Sequence, residues 1–295
     1  TDTITQFAFY YLGDSYRKIN NKTEAMNAFR SASFLGIDLD IQHDAFYQFA
    51  LLCYDQGNVL CDPLQNLSDF IDKYPNSKHV GQIYTCLANI YLNSHNYNDA
   101  ISILEKSTFS DSNVEKQYQK ICFFRGVQLY NDQMYQDAII YFDKAINVNN
   151  DSYIINESYF WKAEAYYNLD AFSKALLAYK KINPSTVLYK QSLYSQGYCY
   201  LKQKNFYNSI DAFTQAEKYT SASDILHDIY IRLGDNYFSL SKYQSAADFF
   251  HKGLVIGGFQ ADYAAYKKST AYVLIADYDN AITSFTLLSK AALIM

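Results

Sequence analysis

Ionisable and nucleophilic side chains are thinly spread along these 295 residues, and few of their spacings suit catalysis. The histidines, His43, His79, His95, His227 and His251, are scattered and fall mostly at turns or helix starts. None forms an H-E-x-x-H zinc pair, and the chain has no G-x-S-x-G, G-x-x-x-x-G-K or G-x-G-x-x-G segment that would expose a nucleophile or cradle a phosphate. Asp228 and Asp235 lie on one helix face, seven residues apart. Such a pair could do acid–base work, but a solvated face is the expected reading. Gly257-Gly258 is an isolated pair, read as a helix end in the left-handed conformation. Of five cysteines, Cys53, Cys86, Cys122 and Cys199 fall at helical positions suited to a small buried hydrophobe. Cys53 and Cys61 are near enough in sequence to meet. There is no C-x-x-C pair, so no zinc or thioredoxin signature. No catalytic residue, cofactor site or metal site is expected, and no enzyme.

The elements that carry these residues repeat. A small residue is followed twelve positions later by another small residue, and four further on by a large apolar one. Gly13, Ala25 and Phe29 do so, as do Ala88, Ala100 and Leu104, and Gly126, Ala138 and Phe142. Ala163, Ala175 and Tyr179 follow, then Gly197, Ser209 and Phe213, Gly234, Ala246 and Phe250, and Ser269, Ala281 and Phe285. The copy at Ala50 carries one inserted residue, which moves its partner slots to Pro63 and Leu67. A period in this range marks a solenoid whose units bury their apolar faces against their neighbours. A tyrosine three residues after the small slot, as in Tyr16, Tyr91 and Tyr166, continues one helical face. Polar breaks such as Asn20-Asn21-Lys22 then separate two helices per unit. The expected contact sets Gly13 or Ala88 on a first helix against Ala25 or Ala100 on the second, which lets the helix axes come close.

These residues resemble the tetratricopeptide repeat family. The match runs through Leu12-Gly13, Tyr16, Ala25, Phe29 and Ala32, and again through Leu233-Gly234, Tyr237, Ala246 and Phe250, and it spans residues 3 to 290. The chain departs from the family pattern in its scarce unit-closing prolines (Pro75 and a displaced Pro184), in Pro63 where alanine is usual, and in most units being longer than the family's usual length by one to four residues. The resemblance implies an all-α, right-handed superhelical solenoid of about eight antiparallel helix pairs. The expected domain is a single array over 1–295, with repeats at 6–42, 43–80, 81–118, 119–155, 156–189, 190–226, 227–261 and 262–295. It also implies a concave wall lined by first helices. On that wall the residue three before the small slot supplies Tyr10, Tyr47, Phe123, Phe160, Tyr194 and Tyr266. The residue after the slot adds Asp14, Asn89, Glu164, Tyr198 and Asp235, and the fifth after it adds Asn93, Asn131 and Asn168. Tyrosine offers contact area with few rotors to freeze, although the same rings could pack against neighbouring units. An asparagine amide can pair with any peptide backbone, and it also suits a helix end. The family's clamp for a terminal carboxylate is missing, since Tyr10, Asp14, Gln48, Gln82 and Cys86 stand on that face.

The resemblance therefore implies an interaction scaffold that holds a peptide or protein partner. The competing expectation is a structural spacer within a larger cell-envelope protein. Tyr74-Pro75-Asn76-Ser77 is similar to repeat ends in bacterial envelope lipoproteins, which favours the periplasm over the cytoplasm. A net charge of −5, with no run of five like charges, disfavours nucleic acid and anionic membranes as partners. No apolar run approaches the ~18–20 residues of a membrane span. The chain starts inside a repeat helix and ends on the apolar run Ala291–Met295. Because terminal solenoid units need a polar outer face, a piece of a longer array is expected, ahead of a mature form whose signal has been removed.

Overall fold

The computed structural model describes residues 3–57, 61–106 and 112–292, and among these the regular structure is entirely helical. The chain divides into two compact units. One comprises Thr1–Gln128 with Asp143–Ile154, and the other Leu129–Phe142 with Ile155–Met295.

The first unit contains α1 (Thr3–Lys18), α2 (Lys22–Phe34), α3 (Leu39–Gln56), α4 (Pro63–Lys73), α5 (Val80–Asn93) and α6 (Tyr97–Glu105). It also holds most of α7 (Ser112–Asn131) and the end of α8 (Tyr135–Val148). From α1 to α6 each helix packs on its sequence neighbour, and α1 also meets α3. The second unit takes the rest of α7 and α8, then α9 (Ser152–Asn168) from Ile155 onward, α10 (Phe172–Tyr179), α11 (Val187–Lys202) and α12 (Phe206–Glu217). It continues through α13 (Ser223–Ser239), α14 (Tyr243–Ile256), α15 (Ala261–Leu274) and α16 (Tyr278–Ala292). From α10 onward, neighbours again pack in sequence order.

The small–small–large register explains the core. The second small slots Ala25, Ala100, Ala138, Ala175, Ser209 and Ala246 have no exposed surface. The large slots Leu67, Leu104, Phe142, Tyr179, Phe213 and Phe250 are equally closed to solvent. The first slot owes its size to the large slot of the same pair. A Cβ added at Gly13, Gly197 or Gly234 would lie 2.9, 2.7 or 2.6 Å from the ring of Phe29, Phe213 or Phe250. The expected small-to-small approach is also present, since Ser209 Oγ donates to the Gly197 carbonyl at 2.9 Å.

Seven residues after the first slot the backbone turns through the left-handed region. Asn20, His95, Gln133, Asp170, Lys204, Ser241 and Ala276 all have φ between 55 and 62°. Two residues later the second helix begins. Side chains of Asn21, Asn96 and Asn205 accept a backbone N–H from the first turn of α2, α6 and α12, meeting one of the donors a helix start leaves open. Repeat 2 breaks this pattern. Its turn residue is Gly57, with φ 71°, and α4 starts only at Pro63, the first helical position, where a missing N–H costs nothing. Cys53 and Cys61 are disulfide-bonded across this junction, with Cα atoms 5.9 Å apart. Cys86, Cys122 and Cys199 are buried free thiols. Gly257 closes α14 at φ 73°, its N–H donating to the Gly253 carbonyl.

Candidate functional site

The candidate surface lies on the first helices. The ring three residues before the small slot sits edge-on, or tilted, against an aromatic of its own second helix. Tyr10 meets Phe29 at 5.8 Å between centroids, Tyr47 meets Phe70 at 5.9 Å, Phe160 meets Tyr179 at 6.0 Å, Tyr194 meets Phe213 at 5.9 Å and Tyr266 meets Phe285 at 6.4 Å. Three hydroxyls then reach the first helix of the next repeat. Tyr10 donates to Asp44 at 2.6 Å, Tyr47 to Gln82 at 2.6 Å and Tyr194 to Asp228 at 2.7 Å. Burial, aided by the Asp44 carboxylate, pushes the Tyr10 phenol up to about 12. The rings thus pack within one repeat while their hydroxyls join it to the next.

In the second unit this pattern grows into a network. Tyr194 and Tyr198 both donate to the same oxygen of Asp228. Arg232 donates to the Tyr198 hydroxyl and to Asp228, each at 3.2 Å, to Asp235 at 2.9 Å and to Gln260 at 2.7 Å. Tyr263 donates to the other oxygen of Asp235 at 2.6 Å. Burial pushes the Tyr194 phenol upward, and its bonds to Tyr198 and Asp228 reinforce the shift. Burial also raises the Asp235 carboxyl against the pull of Tyr263 and Arg232. Asp228 and Asp235 are therefore not a solvated face, as their spacing suggested. Their side chains are 24% and 16% exposed, with the Arg232 guanidinium between them as counter-charge.

The model of the tetratricopeptide repeat family matches residues 7–32. A crystal structure of MamA protein aligns with a TM-score of 0.50 and 19% identity over 58% of this chain and 90% of that one. The chain has the fold of a tetratricopeptide repeat array. A MamA fragment from Desulfovibrio magneticus RS-1 aligns with a TM-score of 0.49 and 16% identity over 58% of this chain and 93% of that one. The TPR2AB-domain:pHSP90 complex of yeast Sti1 aligns with a TM-score of 0.49 and 14% identity over 92% of this chain and 99% of that one. A search of curated protein sequences finds no match.

The array spreads the fourteen candidate positions over a range of exposure. Tyr47 is 6% exposed, stacked on His79 with centroids 3.8 Å apart. Tyr10, Asp14, Asn89, Phe123, Phe160, Glu164, Tyr194, Tyr198 and Asp235 are half-buried. Asp14 is held by Arg17 and Lys18 at 2.7 and 2.8 Å, and those bonds lower its carboxyl. Glu164 accepts from the buried Tyr179 hydroxyl and from Ser195. Asn93, Asn131, Asn168 and Tyr266 are exposed. Asn168 donates to the Tyr130 hydroxyl at 3.1 Å and to the Glu164 carbonyl at 2.9 Å.

Sequence reasoning overlooked a second row, seven residues before the small slot. Gln6 donates to the carbonyls of Ala32, Leu35 and Asp38 and accepts from Asp38 N–H. Gln119 treats Ala145 and Asp151 in the same way. Asn156 accepts from Asn183 N–H at 2.7 Å. The ring nitrogens of His227 face the carbonyls of Gly253 and Phe259 at 2.9 and 2.6 Å. All four side chains are at most 8% exposed. Each plugs the loop that leads to the next repeat and supplies partners its buried backbone would otherwise lack. The available signal was a polar residue two helical turns before a small one, on the same face.

Proposed function

We propose that the array is a protein-interaction scaffold that takes a peptide or protein segment on its first-helix face. The observation that carries this reading is the set of half-exposed rings held in fixed orientations by their own second helices. Rings ordered before binding lose little conformational freedom when a partner arrives, which favours affinity. Phe160, Tyr266 and the exposed amides of Asn131 and Asn168 are the residues best placed for contact in the second unit. Tyr194 and Tyr198 belong to the Asp228–Arg232 network, so their truncation would disturb the fold as well as the surface.

A panel of acidic, basic and apolar peptides, titrated against the array, tests this. Phe160→Ala and Tyr266→Ala should each weaken the tightest binder by roughly tenfold, a typical loss for an aromatic contact, with helical content unchanged. A panel without binders, or binding indifferent to both changes, would refute the scaffold. The spacer reading has its own support in the Tyr10, Tyr47 and Tyr194 hydroxyls, which join repeats and present nothing to a partner. It forecasts no specific binder and a loss of stability in Tyr→Phe variants at those three positions.

A further inference from the structure

The repeat with small slot Gly197 lacks such a plug. The repeat with small slot Gly197 has the same register as those with slots Gly13 and Gly126, each separated from the next slot by 37 residues. Counting seven back from Gly197 gives Lys190, where the other two have Gln6 and Gln119. Ala216 and Tyr219 are the counterparts of Ala32 and Leu35, whose carbonyls Gln6 holds. Lys190 does not enter the loop. It is exposed, with its ammonium 5.0 Å above the Tyr219 ring. Two of the loop's polar groups are met locally. The N–H of Ala222, the counterpart of Asp38, donates to Thr220 Oγ at 3.3 Å, and the Ala216 carbonyl accepts from Tyr219 N–H at 3.0 Å.

At the plug's place lies a cavity of about 240 Å³ between α11, α12 and α13. Val187, Tyr194, Ala216, Ile225 and Ile229 form its apolar wall, and Lys190 stands at its rim. A dry apolar cavity of ~150 Å³ accepts a benzene-sized group, so this volume suits one side chain. The geometry points to a binding site for a branched aliphatic side chain of a partner segment, with a carboxylate beside it facing Lys190. Side-chain size follows from what fills the same place elsewhere in this chain. Apolar character follows from the walls and from a loop in which the Ala222 N–H and the Ala216 carbonyl already have partners. The acid follows from the exposed ammonium at the mouth. The site stands whether or not the aromatic row binds, since only Tyr194 is common to both.

Isocaproate, a leucine side chain ending in a carboxylate, is the probe, with isoamyl alcohol as its neutral counterpart. Saturation-transfer NMR on the full chain should show isocaproate bound. Lys190→Gln restores the plug, so it should weaken the probe by about tenfold or more and raise the melting temperature by roughly 2–4 °C. Lys190→Met keeps the cavity and removes the charge. It should bind isocaproate several-fold more weakly than the native chain and isoamyl alcohol equally well. The site is refuted if the native chain does not bind isocaproate, if Lys190→Gln binds like the native chain, or if Lys190→Gln unfolds. An unchanged isocaproate affinity in Lys190→Met would overturn the acidic partner.

Discussion

At the scale of single residues, the first small slot decides between two opposed effects. Alanine in place of a helix glycine ordinarily gains about 1 kcal/mol. At Gly234 the new Cβ would fall 2.6 Å from the fully buried Phe250 ring, and overpacking of this kind costs ~1–3 kcal/mol. Gly234→Ala should therefore lower the denaturant midpoint, and a raised midpoint would show that Phe250 yields freely. The slot itself was legible, because a small residue recurring at one offset needs a steric cause. Its partner was read one step short: Phe29, Phe213 and Phe250 exclude the Cβ more directly than Ala25, Ser209 or Ala246. The plugs were not legible. Gln6 and His227 look like surface residues until the carbonyls of a loop some 30 residues ahead are placed around them.

At the scale of the helix pair, the turn is a fixed device. The residue seven after the slot takes a left-handed conformation that costs a side chain about 1–2 kcal/mol, yet the chain uses seven different non-glycine residues there. Ala276 is the least suited, since it is β-carbon-bearing, exposed and has no polar side chain to bond the local backbone. Ala276→Gly should raise stability by about 0.5–1 kcal/mol or leave it level, because relieved strain opposes the added freedom of the unfolded chain. A clear loss in chemical denaturation would contradict that strain. Helix-pair boundaries were readable from the polar breaks. Repeat 2 was readable only as irregular: that α4 waits until Pro63, with Cys61 bonded to Cys53 behind it, depends on the path of the intervening loop.

At the scale of the whole molecule, a tyrosine-rich chain of 31 such residues becomes sensitive to alkali. Folding raises Tyr10 from 10.0 to about 12, chiefly by burial and then by its bond to Asp44, and it moves Tyr194 and Tyr263 in the same direction. The neutral phenol is the folded form. Its contribution is complete below the unfolded value of about 10 and is lost as pH rises toward the folded value, since the unfolded chain ionises first. Stability by urea titration should hold steady to pH 10 and fall between 10 and 12, less steeply in Tyr10→Phe. A flat profile would mean that these hydroxyls are not closed off from solvent. The fold class and its period were open to sequence reasoning because the repeat states them eight times over. The joining of repeats by Tyr10–Asp44, Tyr47–Gln82 and Tyr194–Asp228 was not, because each pair lies 34 or 35 residues apart and neither partner marks the other. The most direct test of the scaffold is a chemical-shift map of the array with its tightest peptide. The account predicts perturbations along the first helices at Phe160, Asn168 and Tyr266, whereas shifts confined to exposed second-helix residues such as Leu177 and Tyr207 would contradict it.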